Sequence, residues 1–533
     1  MHETTGATHS PPSRPAPQPT RQPPPKSQSE IHLTAVDDDS LEPPTTAPIP
    51  SLSRLQRILA VFQLCGVNFT MSATSGLVVI ALPRLTVDLT LAPSLAFWPS
   101  SVQGLATAST LLLAGAVADV LGARLVNVAG CICNGVFMLS CGFVKNGTEL
   151  VILRALQGVA IAMHLASSVA LVSQTQSRGR GRNISFACLG LSQLLGFCFG
   201  LVVGGVLVDT IGWRFGWYLY GGTTLLLSVV GLWSLPRSMR LGSFRDILDR
   251  LRSRVDWMGT LLASAFMASI CYFLAIISTD VRRVKETGSI VLLSVSFILA
   301  PLFIGWMHFQ ARRGGPALIP NDFWANSAFT TVCITTALSF AVLNSIDLLT
   351  SLFFQDIQHL SAVQAAIRIL PSTVVGLALN LATGLVVDRI PAVLLVAVTS
   401  LISSGSPLLM ALIQPRWSYW TCAFFAQILL PFSIDVLYTV GLVIVTQVFP
   451  EDKQAVAGAV FNTSAQFGNA MGLAIIQVVS TLVRKRDVNP NSPDAILAGY
   501  HASFWTLFSL MLICALAGYI GLRRIGRVGL KHD

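Results

Sequence analysis

Charge in this chain is almost confined to the gaps between runs of some twenty apolar residues, and that arrangement restricts the fold more than any other feature. Apolar residues make up 53% of the 533 and charged residues 11%, against roughly a quarter charged in a soluble domain, which excludes a water-soluble globular fold. About 20 apolar residues carry a helix across a bilayer. By that measure, spans are expected near 58–82, 98–118, 125–144, 150–173, 184–208, 215–235, 257–278 and 288–309, then 328–351, 363–386, 392–413, 420–447, 455–483 and 501–522. The chain therefore reads as an all-α polytopic membrane protein with fourteen transmembrane helices.

The net charge of +10 does not point to nucleic acid, because the arginines cluster between apolar runs without interleaved stacking aromatics. The positive-inside rule accounts for them instead. With the N-terminus inside, Arg54, Arg57, Arg124, Arg178, Arg180, Arg182, six arginines from Arg237 to Arg254, Arg312, Arg313, Arg389 and the cluster after Arg523 all face the cytoplasm, about twenty basic residues against about ten outside. Both termini are expected in the cytoplasm, with the plasma membrane as the location and the vacuolar membrane as the alternative. Residues 1–53 are read as a disordered tail, since the first fifty hold twelve of the 27 prolines among many Ser, Thr and Gln. The first long run begins near Ile58, after Arg54 and Arg57, and reads as an uncleaved span. The ten cysteines fall almost wholly inside apolar runs and suit packing rather than a disulfide framework. No clustered metal-ligand spacing or activated nucleophile stands out, so neither metal nor cofactor nor enzymatic chemistry is expected. The sequon at Asn146 falls in an outer loop as a candidate glycosylation site. Between Pro236 and Trp257, arginines, aspartates and spaced apolar residues suit an amphipathic helix on the inner membrane face.

An internal repeat organises the spans. Residues Gly115 to Arg124 read G-A-V-A-D-V-L-G-A-R, an acid, a glycine-permitted turn and a base between two spans, and Gly384 to Arg389 repeats the glycine and Asp388 four residues apart, 269 residues downstream. This pattern resembles the loop between spans 2 and 3 of the major facilitator superfamily. The offset leaves spans 7 and 8 as an inserted pair, so the architecture is six plus two plus six: a first bundle at 54–236, a linker with two spans at 237–327, a second bundle at 328–524 and a short tail at 525–533. Arg154-Ala155-Leu156-Gln157-Gly158 looks like the span-4 motif that the superfamily links to proton coupling. In span 5, Gly196, Gly200, Gly204 and Gly205 resemble the antiporter signature, with Leu201 where a proline is expected, and Gly468 and Gly472 recur in span 13. Such a stripe equally serves close helix packing. Ala81-Leu82-Pro83, Trp98, Pro415 to Trp420, Asp435-Val436-Leu437 and Val448 to Asn462 are similar to the fungal fourteen-span drug:proton antiporters, a likeness covering roughly 55–525. It implies export of small, mostly apolar drugs, toxins or secondary metabolites in exchange for protons, through a cavity between two rocking bundles, by a functional monomer in the lipid bilayer.

Four ionisable residues within spans are candidates for proton coupling. Asp435 lies about 22 Å into span 12, where a carboxylate needs a proton, a cation or donors such as Tyr438. Asp347 lies nearer the outer end, where an interfacial position is the alternative. Arg154 either points inward to a partner or snorkels to the interface, and His164 is either a titrating group or a satisfied buried histidine. Asp119 and Arg124, with Gly115, Gly122, Gly384, Asp388 and Arg389, are read as the inner gate. Asn68, Thr74, Gln157, Gln193, Asn344, Gln427, Asn462 and Gln466 are the neutral groups expected on the cavity wall, with helix packing as the alternative for the small hydroxyls. A carrier of basic amino acids or another nutrient is the rival function, and a sensor that does not transport a further one.

Overall fold

The structure, a computed structural model, describes residues 53–91, 98–176, 180–236, 244–279, 281–315, 317–319, 321–386, 389–449, 451–490 and 492–523. The proline-rich stretch before Ser53, Arg178, Asp388 and the tail after Arg523 lie outside them. Seventeen α-helices are described, and fourteen spans arise from them, long and apolar enough to cross a membrane. In chain order they are α1 Arg54–Asp88, α2 Trp98–Leu121, α3 Ala123–Phe143, α4 Gly147–Thr175, α5 Arg180–Thr210 and α6 Trp213–Ser234, then α7 Phe244–Arg254, α8 Trp257–Thr279 and α9 Thr287–Arg313. The rest are α10 Asp322–Ala325, α11 Ser327–Leu352, α12 Ala362–Val386, α13 Ala392–Leu412, α14 Ala423–Leu429, α15 Pro431–Val448, α16 Glu451–Arg484 and α17 Pro493–Leu522. An even number of crossings puts the start of α1 and the end of α17 on one side, called here the terminal face; the other is the distal face.

Local chemistry sets the helix limits. Ser53 opens α1 with a reciprocal capping box, its Oγ accepting from Gln56 N at 3.2 Å and its own N–H donating to Gln56 Oε1 at 3.0 Å. Between α2 and α3 the connection is Gly122 alone, at φ +90°, a conformation that strains any residue with a Cβ. The span expected as one helix over 420–447 is broken: α14 ends at Leu429 and Pro431 opens α15. Proline has no N–H to continue the α14 ladder and is well suited to the first turn of a new helix.

The internal repeat shows in the packing. In the first bundle α1 lies against α5 and α6, α2 against α4, and α3 against α4 and α6; in the second, α11 lies against α16 and α17, α12 against α15, and α13 against α15 and α17. Glycine stripes close the equivalent pairs. Gly196, Gly200 and Gly204 back onto Phe69, Ala73 and Leu77 of α1, and Gly468 and Gly472 back onto Ala337 and Ala341 of α11. Two seams join the bundles, α2 with α16 and α5 with α12. The inserted pair α8–α9 packs on the first seam, α8 touching both α2 and α16. Asp256 anchors that pair, its carboxylate accepting from Gly259 N at 2.8 Å, Trp306 Nε1 at 2.9 Å and Leu318 N at 3.3 Å.

Candidate functional site

The seams meet tightly at the distal face. The side of α5 turned to the second bundle carries Gln193, Phe197 and Leu201 at helical four-residue spacing. Gln193 is exposed, Phe197 half-buried, and Leu201 fully buried in an apolar cluster with Ile80 and Leu82 of α1 and Val342, Ile346 and Leu349 of α11. Hydrogen bonds reinforce this closure: Ser351 Oγ donates to Val79 O at 3.0 Å, Gln355 Nε2 to Ile80 O at 3.1 Å, and the N–H groups of Ala362 and Val363 to Asp209 at 3.1 and 3.0 Å. Burial along α5 therefore rises toward the distal face, where the two bundles close on each other. A separate cavity of about 10 Å³ between Trp98, Cys271 and Ala470 has room for a single water and for no organic substrate.

In the first bundle the expected polar residues turn inward. Arg154 is 2% exposed; its Nε donates to Pro99 O at 2.9 Å, its Nη1 to Gln157 Oε1 at 3.0 Å, and its guanidinium lies 5.5 Å from the Trp217 ring centre. Arginine therefore points to partners on α2, α4 and α6 and does not snorkel. Gln157 Nε2 reaches Cys141 Sγ on α3 at 3.8 Å, which sets its amide in the bundle interior. His164 is likewise buried, with Nδ1 3.1 Å from Asn127 Nδ2 and 3.4 Å from Cys131 Sγ, while Nε2 has no hydrogen-bond partner. On α1, Asn68 donates to Leu189 O of α5 at 2.8 Å and Thr74 returns to Met71 O at 2.6 Å. Ser72, Ser75 and Val79, spaced three and four apart, are the half-exposed residues on the side that reaches α11.

The second bundle holds the buried acids. Asp435 is 8% exposed, and the donor to its carboxyl is Asn380 of α12, Nδ2 to Oδ1 at 2.6 Å, where the sequence suggested Tyr438. Tyr438 instead donates to Asn462 of α16 at 3.2 Å and stacks edge-on to Phe340 of α11, so three helices converge there. Gly376 makes room for Asp435: a Cβ at that position would stand 2.6 Å from Oδ2. Neither Gly376 nor Asn380 was picked out from sequence, although an asparagine amid an apolar run is itself a signal. Asp347, for which an interfacial position was the alternative, is 4% exposed with Oδ1 unpartnered among the described residues, and sits one turn before Ser351 on the face of α11 directed at α1. Asn344 is half-exposed and bonded to Phe340 O, Gln466 lies half-exposed beside Gly104 of α2, and Gln427 is fully buried with both amide atoms unpartnered.

At the terminal face the expected gate does not join the bundles. Arg124 donates to Leu232 O at the end of α6, in its own bundle, and Asp119 is exposed and makes no ion pair among the described residues. A Cβ added at Gly115 would meet, outside its own helix, nothing closer than Ala166 Cβ at 4.0 Å among the described residues, Gly384 lies in the last turn of α12, and Arg389 is exposed. Gly205, grouped with the packing stripe by sequence, faces α12, where a Cβ would meet Ala362 O and Val363 Cα at 3.0 Å. Asn146 caps α4, accepting from Glu149 N at 2.9 Å and donating to Glu149 Oε1 at 2.8 Å.

Comparison with known proteins agrees with this architecture. The sequence profile described as Major Facilitator Superfamily matches residues 64–473. The chain is similar to "MFS-type transporter 1" of Pyricularia oryzae, 36% identical over 91% of this chain and 89% of that protein. It is similar also to the "Low affinity ammonium transporter" of Saccharomyces cerevisiae, 23% identical over 76% and 77%, and to the "Puromycin resistance protein pur8" of Streptomyces alboniger, 27% identical over 83% and 86%. Among solved structures, a bacterial homologue of the human lysosomal transporter Spinster, in an inward-facing and unoccupied conformation, superposes with a TM-score of 0.61 at 13% identity, covering 88% of this chain and 98% of that one.

Proposed function

The chain belongs to the Major Facilitator Superfamily, and from that premise we propose that it exports small, largely apolar compounds in exchange for protons, by alternating access. It is a membrane transporter and not an enzyme. The observation that carries the proposal is the apolar cluster, braced by the Ser351 to Val79 O bond, that closes two repeat-related bundles on each other at one face; in this reading a cleft between them opens to the other face. In this reading the terminal face is cytoplasmic, the protein works as a monomer in the plasma membrane, and the structure corresponds to the inward-open state. Asp119 and Arg124 engage the second bundle when that face closes. Ser72, Ser75, Gln193, Phe340, Asn344, Tyr438, Asn462 and Gln466 supply the substrate wall, suited to loose selectivity. Asp435, held by Asn380, and Asp347 exchange protons as the bundles rock. Arg154 acts as the buried strut that fixes α4 to α2.

Resemblance to a puromycin resistance protein supports export. One observation favours a second reading: Asp347, buried with an unpartnered oxygen, is a site for a small cation, and a related yeast protein is described as an ammonium transporter. Flux in proteoliposomes under an imposed pH gradient separates the two. Gradient-driven movement of apolar compounds supports export, whereas movement of ammonium alone supports the cation carrier and sinks the exporter.

A further inference from the structure

Pro83 stands inside α1. A proline supplies no backbone N–H, so the carbonyl four residues before it, that of Val79, has no intrahelical donor. In this structure the donor comes from the other bundle, Ser351 Oγ at 3.0 Å. The next carbonyl, Ile80 O, accepts from Gln355 Nε2, and the same amide donates to Ser351 Oγ at 3.0 Å, so hydroxyl and amide act as one unit. Gln355 lies in the wide turn Phe353–Ile357, where α11 ends in π geometry, closed by Gln358 N to Phe353 O at 3.2 Å. The chain then reverses through His359 at φ +53° and begins α12, whose first N–H groups are held by Asp209 of α5. Gly205, one turn before Asp209, lets the two backbones come this close.

We propose that residues 351–363 form a distal clasp that grips the first bundle at two points, the carbonyl vacated by Pro83 and the Asp209 carboxylate, and that its release opens the cleft to the distal side. The clasp rests on the alternating-access reading given above. Proline does more here than bend a helix: it leaves an acceptor that the opposing bundle satisfies in the distally closed state and that water satisfies when the bundles part. Asp209 acts likewise, relieving two helix-end donors across the seam.

The test uses the full chain in liposomes, without substrate or gradient, with spin labels on non-canonical residues introduced at Val87 and Val488 on the distal face and at Leu55 and Lys453 on the terminal face. In Ser351→Ala/Gln355→Ala, the ratio of long to short distal distances rises about fivefold, as loss of about 1 kcal/mol dictates, and the terminal pair shortens in step. Pro83→Ala returns an N–H to Val79 O and shifts the populations the same way; adding Ser351→Ala to it produces little further change, because both remove one bond. Unchanged distal distances, or fully additive effects of Pro83→Ala and Ser351→Ala, overturn the clasp. If the double variant does not purify, Gln355→Leu and Asp209→Asn carry the same expectation. Distance shifts without gradient-driven flux in the parent protein refute the exporter and leave the clasp standing; flux with unshifted distances does the reverse.

Discussion

Gly376→Ala is expected to damage transport more than stability. The added methyl would stand 2.6 Å from Asp435 Oδ2 and 3.4 Å from Pro431 Cβ, and the first separation is too short to persist. The carboxyl end of Asp435 gives way more easily than helix backbone, so it rotates and surrenders the 2.6 Å bond from Asn380. A hydrogen bond of that kind is worth about 1–3 kcal/mol. Alanine in place of glycine inside a helix returns about 0.5–1 kcal/mol, so the net loss of stability is about 0–2.5 kcal/mol. Transport has no such offset: if the Asn380–Asp435 pair must be in place for proton exchange, flux efficiency falls by about 5- to 150-fold. Gradient-driven flux in proteoliposomes, with thermal unfolding in detergent alongside, measures both quantities. Asn380→Ala removes the same bond from the other side, so the double variant loses little more than the worse single. Wild-type flux in Gly376→Ala, or losses that simply add, would refute the reasoning.

Other expectations follow from single contacts. Gly200→Val drives a branched side chain into the Ala73 backbone and should abolish accumulation of folded protein, visible by size-exclusion profile. Arg154→Leu strips Pro99 O and Gln157 of their donor at the α2–α4 contact and should lower the unfolding midpoint, by an amount corresponding to about 2–3 kcal/mol. Asp119→Asn leaves abundance intact and lowers flux, because the terminal gate loses its charge; equal flux from correctly localised variant removes Asp119 from the gate. Asn146→Ala costs about 1 kcal/mol through loss of the α4 cap, and glycosidase treatment leaves the parent protein's gel mobility unchanged, because the Asn146 amide is engaged by Glu149 in a connection of three residues.

Helix placement was legible because apolar length against a bilayer leaves few choices, and most spans run close to their expected limits, although α1 continues to Asp88 and α17 starts already at Pro493. The break at Leu430 was not, since a proline inside a long apolar run permits either a kink or a new start. Which face of a span looks inward was harder still. Helical spacing put Asn68, Thr74 and Gln157 among polar neighbours, but it carries no information on what that side meets: Asn68 and Gln157 bond to a sister helix, and Thr74, fully buried, bonds back to its own. The Asn380–Asp435 pair joins residues 55 apart and the clasp joins residues some 270 apart, contacts that only the assembled bundles create. Pro83 was the one signal in the sequence for the clasp, because a mid-helix proline announces an unpaired carbonyl before it says who will pair it.

The repeat itself then explains why the two bundles carry different chemistry. Their main helix pairings correspond, α1 with α5 as α11 with α16, so the pairing pattern alone does not set the two apart. Side chains do: the first bundle buries a cation, Arg154, bonded to two neutral acceptors, while the second buries two carboxyls, Asp435 held by Asn380 and Asp347 with one oxygen unpartnered among the described residues. A charge with partners in place has little to gain from ligand or solvent, whereas one with an open oxygen changes its interactions whenever the surrounding seam opens. If the chain exchanges protons as proposed above, the second bundle is the half whose energy responds to them, and the first is the wall against which it moves. Substitutions that unsettle Arg154 should therefore show first in stability, and those at Asp347 or Asp435 first in the dependence of flux on the gradient.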